Sequence, residues 1–135
     1  MKELKIEAAV ERLDEVLAFI DAELEARDCP MKAQMQIDVA AEEMFVNIAS
    51  YAYAPGHGDA LIQIETDPDT RVFSVTLIDS GIPYDPLKKA DPDVTLSAEE
   101  RGIGGLGIYM VKKSMDAVSY RRENGQNIFR MEKKI

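Results

Sequence analysis

Apolar and polar positions alternate at Leu4, Ile6 and Ala8, and this period of two predicts a short first strand. From about Ala9 to Asp28 the period lengthens. Val10, Leu13, Leu17, Ile20 and Leu24 recur at three- and four-residue steps, the apolar face of a helix that Cys29-Pro30 should end. A second helix is predicted from about Met31 to Tyr53, stopped by Pro55-Gly56 and Gly58. Two strands follow, Ala60–Thr66 and Arg71–Ile78, joined by the turn residues Asp67-Pro68-Asp69-Thr70.

The stretch Gly81–Gly105 has no clear period and holds three of the six prolines. It is long for a connection inside a compact domain, which points to a functional lid over about residues 82–105. A third helix is expected from about Leu106 to Met115, then a hairpin of Val118–Glu123 and Asn127–Glu132 turning on Asn124-Gly125. The order β-α-α-β-β-loop-α-β-β predicts an α/β fold. Its form is a two-layer α/β sandwich with a mixed, mostly antiparallel sheet and helices packed on one face, because that arrangement buries both apolar surfaces.

Composition narrows the partners. The 135 residues suit a single domain over 1–135, and 46% apolar residues are enough for one core. The net charge of −9, with no Lys/Arg stripe interleaved with aromatics, disfavours direct nucleic-acid binding. The lone Cys29 allows no internal disulfide and no cysteine-built zinc site, and it suits a reducing compartment. No apolar run reaches the roughly 18 residues of a membrane span, and the charged start MKELKIEAAVERLDE is unlike a signal peptide. A cytoplasmic protein with no membrane contact is expected. An acidic chain that binds an anion must make its positive field locally, from helix ends or a metal.

Three features carry candidate chemistry. On the second helix, at 100° per residue, Ala41, Met44 and Ile48 fall within about 40° of Ile37 and define the buried stripe. Glu43 and Asn47 share one flank, four residues apart, whereas Glu42 lies on the other side. Geometry therefore pairs Asn47 with Glu43, an acid and a carboxamide able to orient a nucleophile and hold a hard cation. A solvated helix flank would use the same residue types.

The second feature, Asp79-Ser80-Gly81-Ile82-Pro83, follows an apolar strand. A carboxylate there can accept from an exocyclic amine, and Gly81 lets backbone approach a flat ring, although the same residues also make an ordinary turn. The third is Arg101-Gly102-Ile103-Gly104-Gly105-Leu106-Gly107, with four glycines in six positions before a helix. Such a run lets backbone N–H groups converge on phosphate oxygens at a helix N-terminus. It follows no strand of a βαβ unit and lacks Gly-Lys-Ser/Thr, so neither a dinucleotide fingerprint nor a P-loop fits.

Taken together, Glu43-x-x-x-Asn47, Asp79-x-Gly81 and Gly102-x-Gly104-Gly105-x-Gly107 resemble the GHKL ATPases, the Bergerat-fold superfamily of gyrase, histidine kinases and mismatch-repair ATPases. The wording Glu42-Glu43…Asn47-Ile48, Gly81-Ile82-Pro83-Tyr84-Asp85-Pro86 and Gly104-Gly105-Leu106-Gly107-Ile108…Met115-Asp116 looks like the anti-sigma-factor serine/threonine kinases. The resemblance implies an enzyme that transfers the γ-phosphate of ATP to an anti-sigma-factor antagonist and sequesters a sigma factor. It further implies Glu43 as general base, Asn47 as Mg²⁺ ligand, Asp79 as acceptor from the adenine amine, and Gly81 beside the base. Gly102, Gly104, Gly105, Leu106 and Gly107 would lie at the phosphates, with Arg101 as a partner of the γ-phosphate. A homodimer is compatible with it.

One position departs from the family pattern: Tyr51 stands where a histidine often follows the Asn. His57, the only histidine, sits in a glycine-rich turn rather than on a phospho-acceptor helix, which argues against autophosphorylation. Two other readings are a nucleotide-gated regulator without kinase activity and the ATPase domain of a sensor histidine kinase.

Overall fold

The computed structural model describes residues 1–88 and 106–135. Five strands form one sheet: β1 (Lys2–Glu7), β2 (Asp59–Thr66), β3 (Val72–Asp79), β4 (Ala117–Glu123) and β5 (Gln126–Lys134). Their spatial order is β1-β2-β3-β5-β4, and every neighbouring pair is antiparallel. Among the described residues, three α-helices cover it: α1 (Leu13–Ala26), α2 (Met31–Asn47) and α3 (Leu106–Ser114). α2 is the central one, packing on α1, α3, β3 and β5. The expected two-layer α/β sandwich is the observed fold.

The core forms where the two periods meet. Val16, Ile20 and Leu24 of α1 and Ile37, Ala41, Met44 and Phe45 of α2 bury against Ile62, Ile64, Phe73, Val75, Leu77, Phe129 and Met131 of the sheet. On β3 the helix-facing residues are Phe73, Val75, Leu77 and Asp79, two apart, as a pleated strand requires. Ser74 and Thr76 point the other way yet are also buried. They lie between Glu65 and Glu132, and between Gln63 and Arg130, whose longer side chains cover the central strand.

Local chemistry sets the connections. Asn124 and Gly125 both adopt positive φ, 52° and 76°, the two-residue turn that matches the twist of a hairpin. The Asp67 carboxylate accepts from the N–H groups of Asp69 (2.8 Å) and Thr70 (3.1 Å), closing the β2–β3 turn. Glu23, on α1, lies between Lys2 of β1 (2.8 Å) and Arg27 (2.9 Å), which ties the edge strand to the helix layer.

Helix α2 differs from expectation at its end. The α-helix stops at Asn47, and Ile48–Ala52 continue as one π-helical turn. The wider turn carries the chain to Ala52, whose carbonyl accepts from the Ile82 N–H at 2.9 Å. A carbonyl that the helix end would leave unpaired is thereby satisfied by the segment after β3.

Candidate functional site

The π-helical turn and the end of β3 face each other across a cavity of about 280 Å³. One wall comes from α2 and its extension: Met44, Asn47, Ile48 and Tyr51. The opposite wall is Asp79, with Ile82, Tyr84 and Pro86 from the segment after β3. Tyr120, Asn127 and Phe129 of the β4–β5 hairpin close the base. The lining is largely apolar with a few placed polar groups, the composition of a site for a flat, partly polar ligand.

Each sequence-expected residue with described surroundings has a defined place. Asn47 donates from Nδ2 to Glu43 Oε1 at 3.4 Å, one helical turn apart, while Glu42 is exposed at the same α2–α3 groove that Glu43 lines. Asn47 lines the cavity; Glu43 lines the adjoining groove between α2 and α3, with Gly107 and Val39. Gly107 approaches so closely that a Cβ there would overlap the Glu43 carboxylate. Gly81 is held in the same way against Ala52, where a Cβ would meet the main-chain carbonyl itself.

Asp79 is 5% exposed, and its Oδ1 accepts from the Gly81 N–H (2.9 Å) and from Asn127 Nδ2 (2.9 Å). Among the described residues, both hydrogen bonds to this carboxylate are made to Oδ1. Tyr53 braces this corner: its hydroxyl donates to the Asp59 carbonyl (2.6 Å) and accepts from the Ser80 N–H (2.8 Å). Burial pushes its phenol up, so it stays a donor.

Arg101, Gly102, Gly104 and Gly105 lie outside the described residues, as does the Leu106 side chain. The first part of the expected lid is well anchored. Ile82 N–H reaches Ala52, Leu87 N–H reaches the Asp85 carboxylate (2.8 Å), and Pro86 is buried.

Asn127 and Tyr120 line the cavity without belonging to any motif, and Tyr84 stands in the sequence only within the family-like wording Gly81-Ile82-Pro83-Tyr84-Asp85-Pro86. Asn127 opens a predicted strand two residues after a turn and has no motif partner nearby. Only its register opposite Asp79 marks it, and register cannot be read from one strand alone.

Residues 6–133 match the family model of the Histidine kinase-like ATPase domain. The chain belongs to this family. A curated member similar to it is the serine/threonine-protein kinase BtrW of Bordetella bronchiseptica, 31% identical over 96 residues, covering 71% of this chain and 67% of the relative. Among solved structures, the RsbU and RsbW domains of Rv1364c from Mycobacterium tuberculosis superpose on 99% of the chain with a TM-score of 0.68 at 14% identity. The chain spans 32% of that mycobacterial protein. The histidine kinase domain of a blue-light activated histidine kinase from Erythrobacter litoralis covers 89% of this chain and 59% of its own, with a TM-score of 0.54 at 16% identity.

The resemblance read from three motifs thus holds for the family and for its fold. An ATPase domain implies ATP as the nucleotide. No helix among the described residues is long and apolar enough to cross a membrane.

Proposed function

We propose that the chain is an ATP-dependent protein serine/threonine kinase that phosphorylates an anti-sigma-factor antagonist and holds a sigma factor by direct binding. The observation that carries the reading is the convergence of Asn47 and Asp79 on one apolar cavity, with Glu43 one turn from Asn47 against the first turn of α3. The similarity to a relative that is itself a serine/threonine-protein kinase supports the choice of reaction.

The roles follow from the donor sets. The adenine amine donates to Asp79 Oδ2, and Gly81 gives the ring room. Tyr51 and Tyr84, both exposed at the cavity, offer ring faces to the nucleoside. Asn47 fits Mg²⁺: its Nδ2 is turned to Glu43, which leaves the carbonyl oxygen for the metal, and Mg²⁺ needs only one or two protein oxygens besides phosphates and water. An ion held there would supply charge neutralisation at the transferred phosphoryl group. The family resemblance, rather than the geometry, assigns Gly102, Gly104, Gly105, Leu106 and Gly107 to the phosphates, which their main-chain N–H groups would cradle, with Arg101 on the γ-phosphate.

Glu43 acts on the acceptor. As the serine or threonine oxygen bonds to the γ-phosphorus, its proton passes to the Glu43 carboxylate. The bond from that phosphorus to the β–γ bridging oxygen breaks, and ADP leaves.

Incubating the chain with γ-labelled Mg·ATP and the proteins that co-purify with it tests this. Label on a serine or threonine of a partner is expected. ATP binding with no transfer to any partner would leave the nucleotide-gated regulator as the better reading.

A further inference from the structure

Asn127 spends every hydrogen-bonding position it has. Its Nδ2 donates to Asp79 Oδ1 (2.9 Å) and to the Ile82 carbonyl (2.8 Å). Its Oδ1 accepts from the Tyr120 hydroxyl (2.5 Å) and from the Tyr84 N–H (3.4 Å). A primary amide has two N–H donors and two acceptor lone pairs, so this side chain is saturated, and it is 7% exposed.

The surroundings also dictate which way the amide points. A main-chain carbonyl can only accept and a main-chain N–H can only donate. Exchanging the amide's O and N would set Ile82 C=O and Asp79 Oδ1 against an oxygen, and Tyr84 N–H against an N–H group. Tyr120 sits across from Phe129 on the neighbouring strand, which brings its hydroxyl over the strand carrying Asn127.

Three consequences meet at the cavity. The Gly81 N–H and the Asn127 amide together occupy Asp79 Oδ1, so only Oδ2 is presented to a ligand. Asp79, opposite Asn127 in the β3–β5 register, cannot rotate without breaking two hydrogen bonds. The Ile82–Tyr84 segment, which supplies the cavity wall, is fastened to the same amide and further held by Arg122, which donates to the Gly81 carbonyl at 2.8 Å.

We infer that Asn127, oriented by the Ile82 carbonyl and the Tyr84 N–H and further held by Tyr120, is the positioning residue that makes this cavity select an exocyclic amine over a carbonyl at that edge of a purine, and hence adenine over guanine nucleotides. The inference rests on the nucleotide reading above and adds a determinant of selectivity to it. Asp79 supplies the acceptor. Asn127 keeps it a single, fixed acceptor at one wall of the cavity. A site built around a fixed polar partner rejects the wrong group far better than one whose partner can turn away.

Titration calorimetry with Mg·ATP and Mg·GTP tests it on wild type, Asn127→Asp and Tyr120→Phe, with the melting temperature of each nucleotide-free protein as control. Wild type should prefer ATP by at least roughly 100-fold. Asn127→Asp removes the donated N–H groups and sets a second carboxylate against Asp79; it should lose roughly 10-fold or more in ATP affinity and most of the preference. Tyr120→Phe leaves the amide in place and correctly oriented but removes one of its four hydrogen bonds, so it is held less rigidly. It should narrow the ATP-to-GTP ratio by roughly 3- to 10-fold while melting close to wild type, which a purely structural tyrosine would not do.

If Asn127→Asp fails to fold, Tyr120→Phe decides the matter. A wild-type preference that survives unchanged in Tyr120→Phe overturns the inference and leaves the nucleotide site standing. Wild-type protein that binds neither nucleotide overturns both.

Discussion

Gly107, in the first turn of α3, leaves no room for a Cβ beside the Glu43 carboxylate of α2. The obstructing atoms are the far end of a flexible side chain, so an added methyl group displaces the carboxylate rather than the helices. Gly107→Ala should therefore lower stability by only about 1 kcal/mol, the scale of an off-rotamer side chain. It should nonetheless cut phosphotransfer by roughly 10-fold or more, because the base is moved. In a Glu43→Ala background the same change should cost nothing further. A rate cycle on the four proteins measures this, and losses that multiply would show that Gly107 acts independently of Glu43.

The two adjacent acids should behave differently. Glu43 is half-buried, contacts Asn47 and comes against Gly107, whereas Glu42, which lines the same α2–α3 groove, is exposed. Glu43→Ala should bind ATP and lose phosphotransfer by roughly 100-fold or more, the usual scale for a missing general base. Glu42→Ala should change the rate by less than about threefold, as surface substitutions generally do. An inactive Glu42→Ala beside an active Glu43→Ala would reverse the assignment.

What could be read from the chain was what local period and local motif carry. The 3.6-residue stripe of α2 paired Glu43 with Asn47, and the turn residues Asn124-Gly125 marked the final hairpin. Asp79 was legible as the end of an apolar strand. The π-helical turn at Ile48–Ala52 was not, because its sequence continues the helical period and only the contact with Gly81 and Ile82 distinguishes it. Asn127 was hidden for a similar reason. Its importance comes from facing Asp79 across β3 and β5, a long-range register that neither strand encodes by itself.

Asp79→Asn tests adenine recognition with little disturbance of the fold. The substituted amide keeps a carbonyl oxygen that can still accept from Gly81 and Asn127, so the nucleotide-free melting temperature should stay within about 3 °C of wild type. The other position becomes an NH₂ facing the adenine amine, donor against donor. Mg·ATP at 100 times the dissociation constant stabilises a native state by about 2.7 kcal/mol, and that upward shift in melting temperature should vanish in the variant. A full shift would remove Asp79 from the nucleotide site.

The packing of α1 on α2 should make stability fall on the alkaline side. Asp38 of α2 is pushed up to about 8, first by burial, then by its hydrogen bond with Asp21 of α1 and by repulsion from Asp21 and Glu25. Among the described residues, Asp21 and Asp38 each keep a buried Oδ1 with no hydrogen-bond partner. Cys29, whose thiol burial also pushes up, lies within the field of this pair and of Arg71 and Lys133. In the unfolded chain an aspartate titrates near 4, well below the folded value. The folded state therefore binds the extra proton between these values. Its contribution to stability is full below about pH 4 and is lost as pH rises through about 8. Glu23 acts in the opposite sense: hydrogen-bonded by Lys2 and then Arg27, it is held below the usual carboxylate range, so its contribution is lost only in acid. The two together place the stability maximum at mildly acidic pH. Urea unfolding at about pH 6 and about pH 9 should show the wild type markedly weaker at the higher value. Asp38→Asn carries a permanent N–H donor to Asp21 and no titrating proton, so its stability should be nearly flat over that interval while the acid limb is unchanged. An equal alkaline loss in wild type and variant would mean that the Asp21–Asp38 pair does not hold its proton at neutral pH.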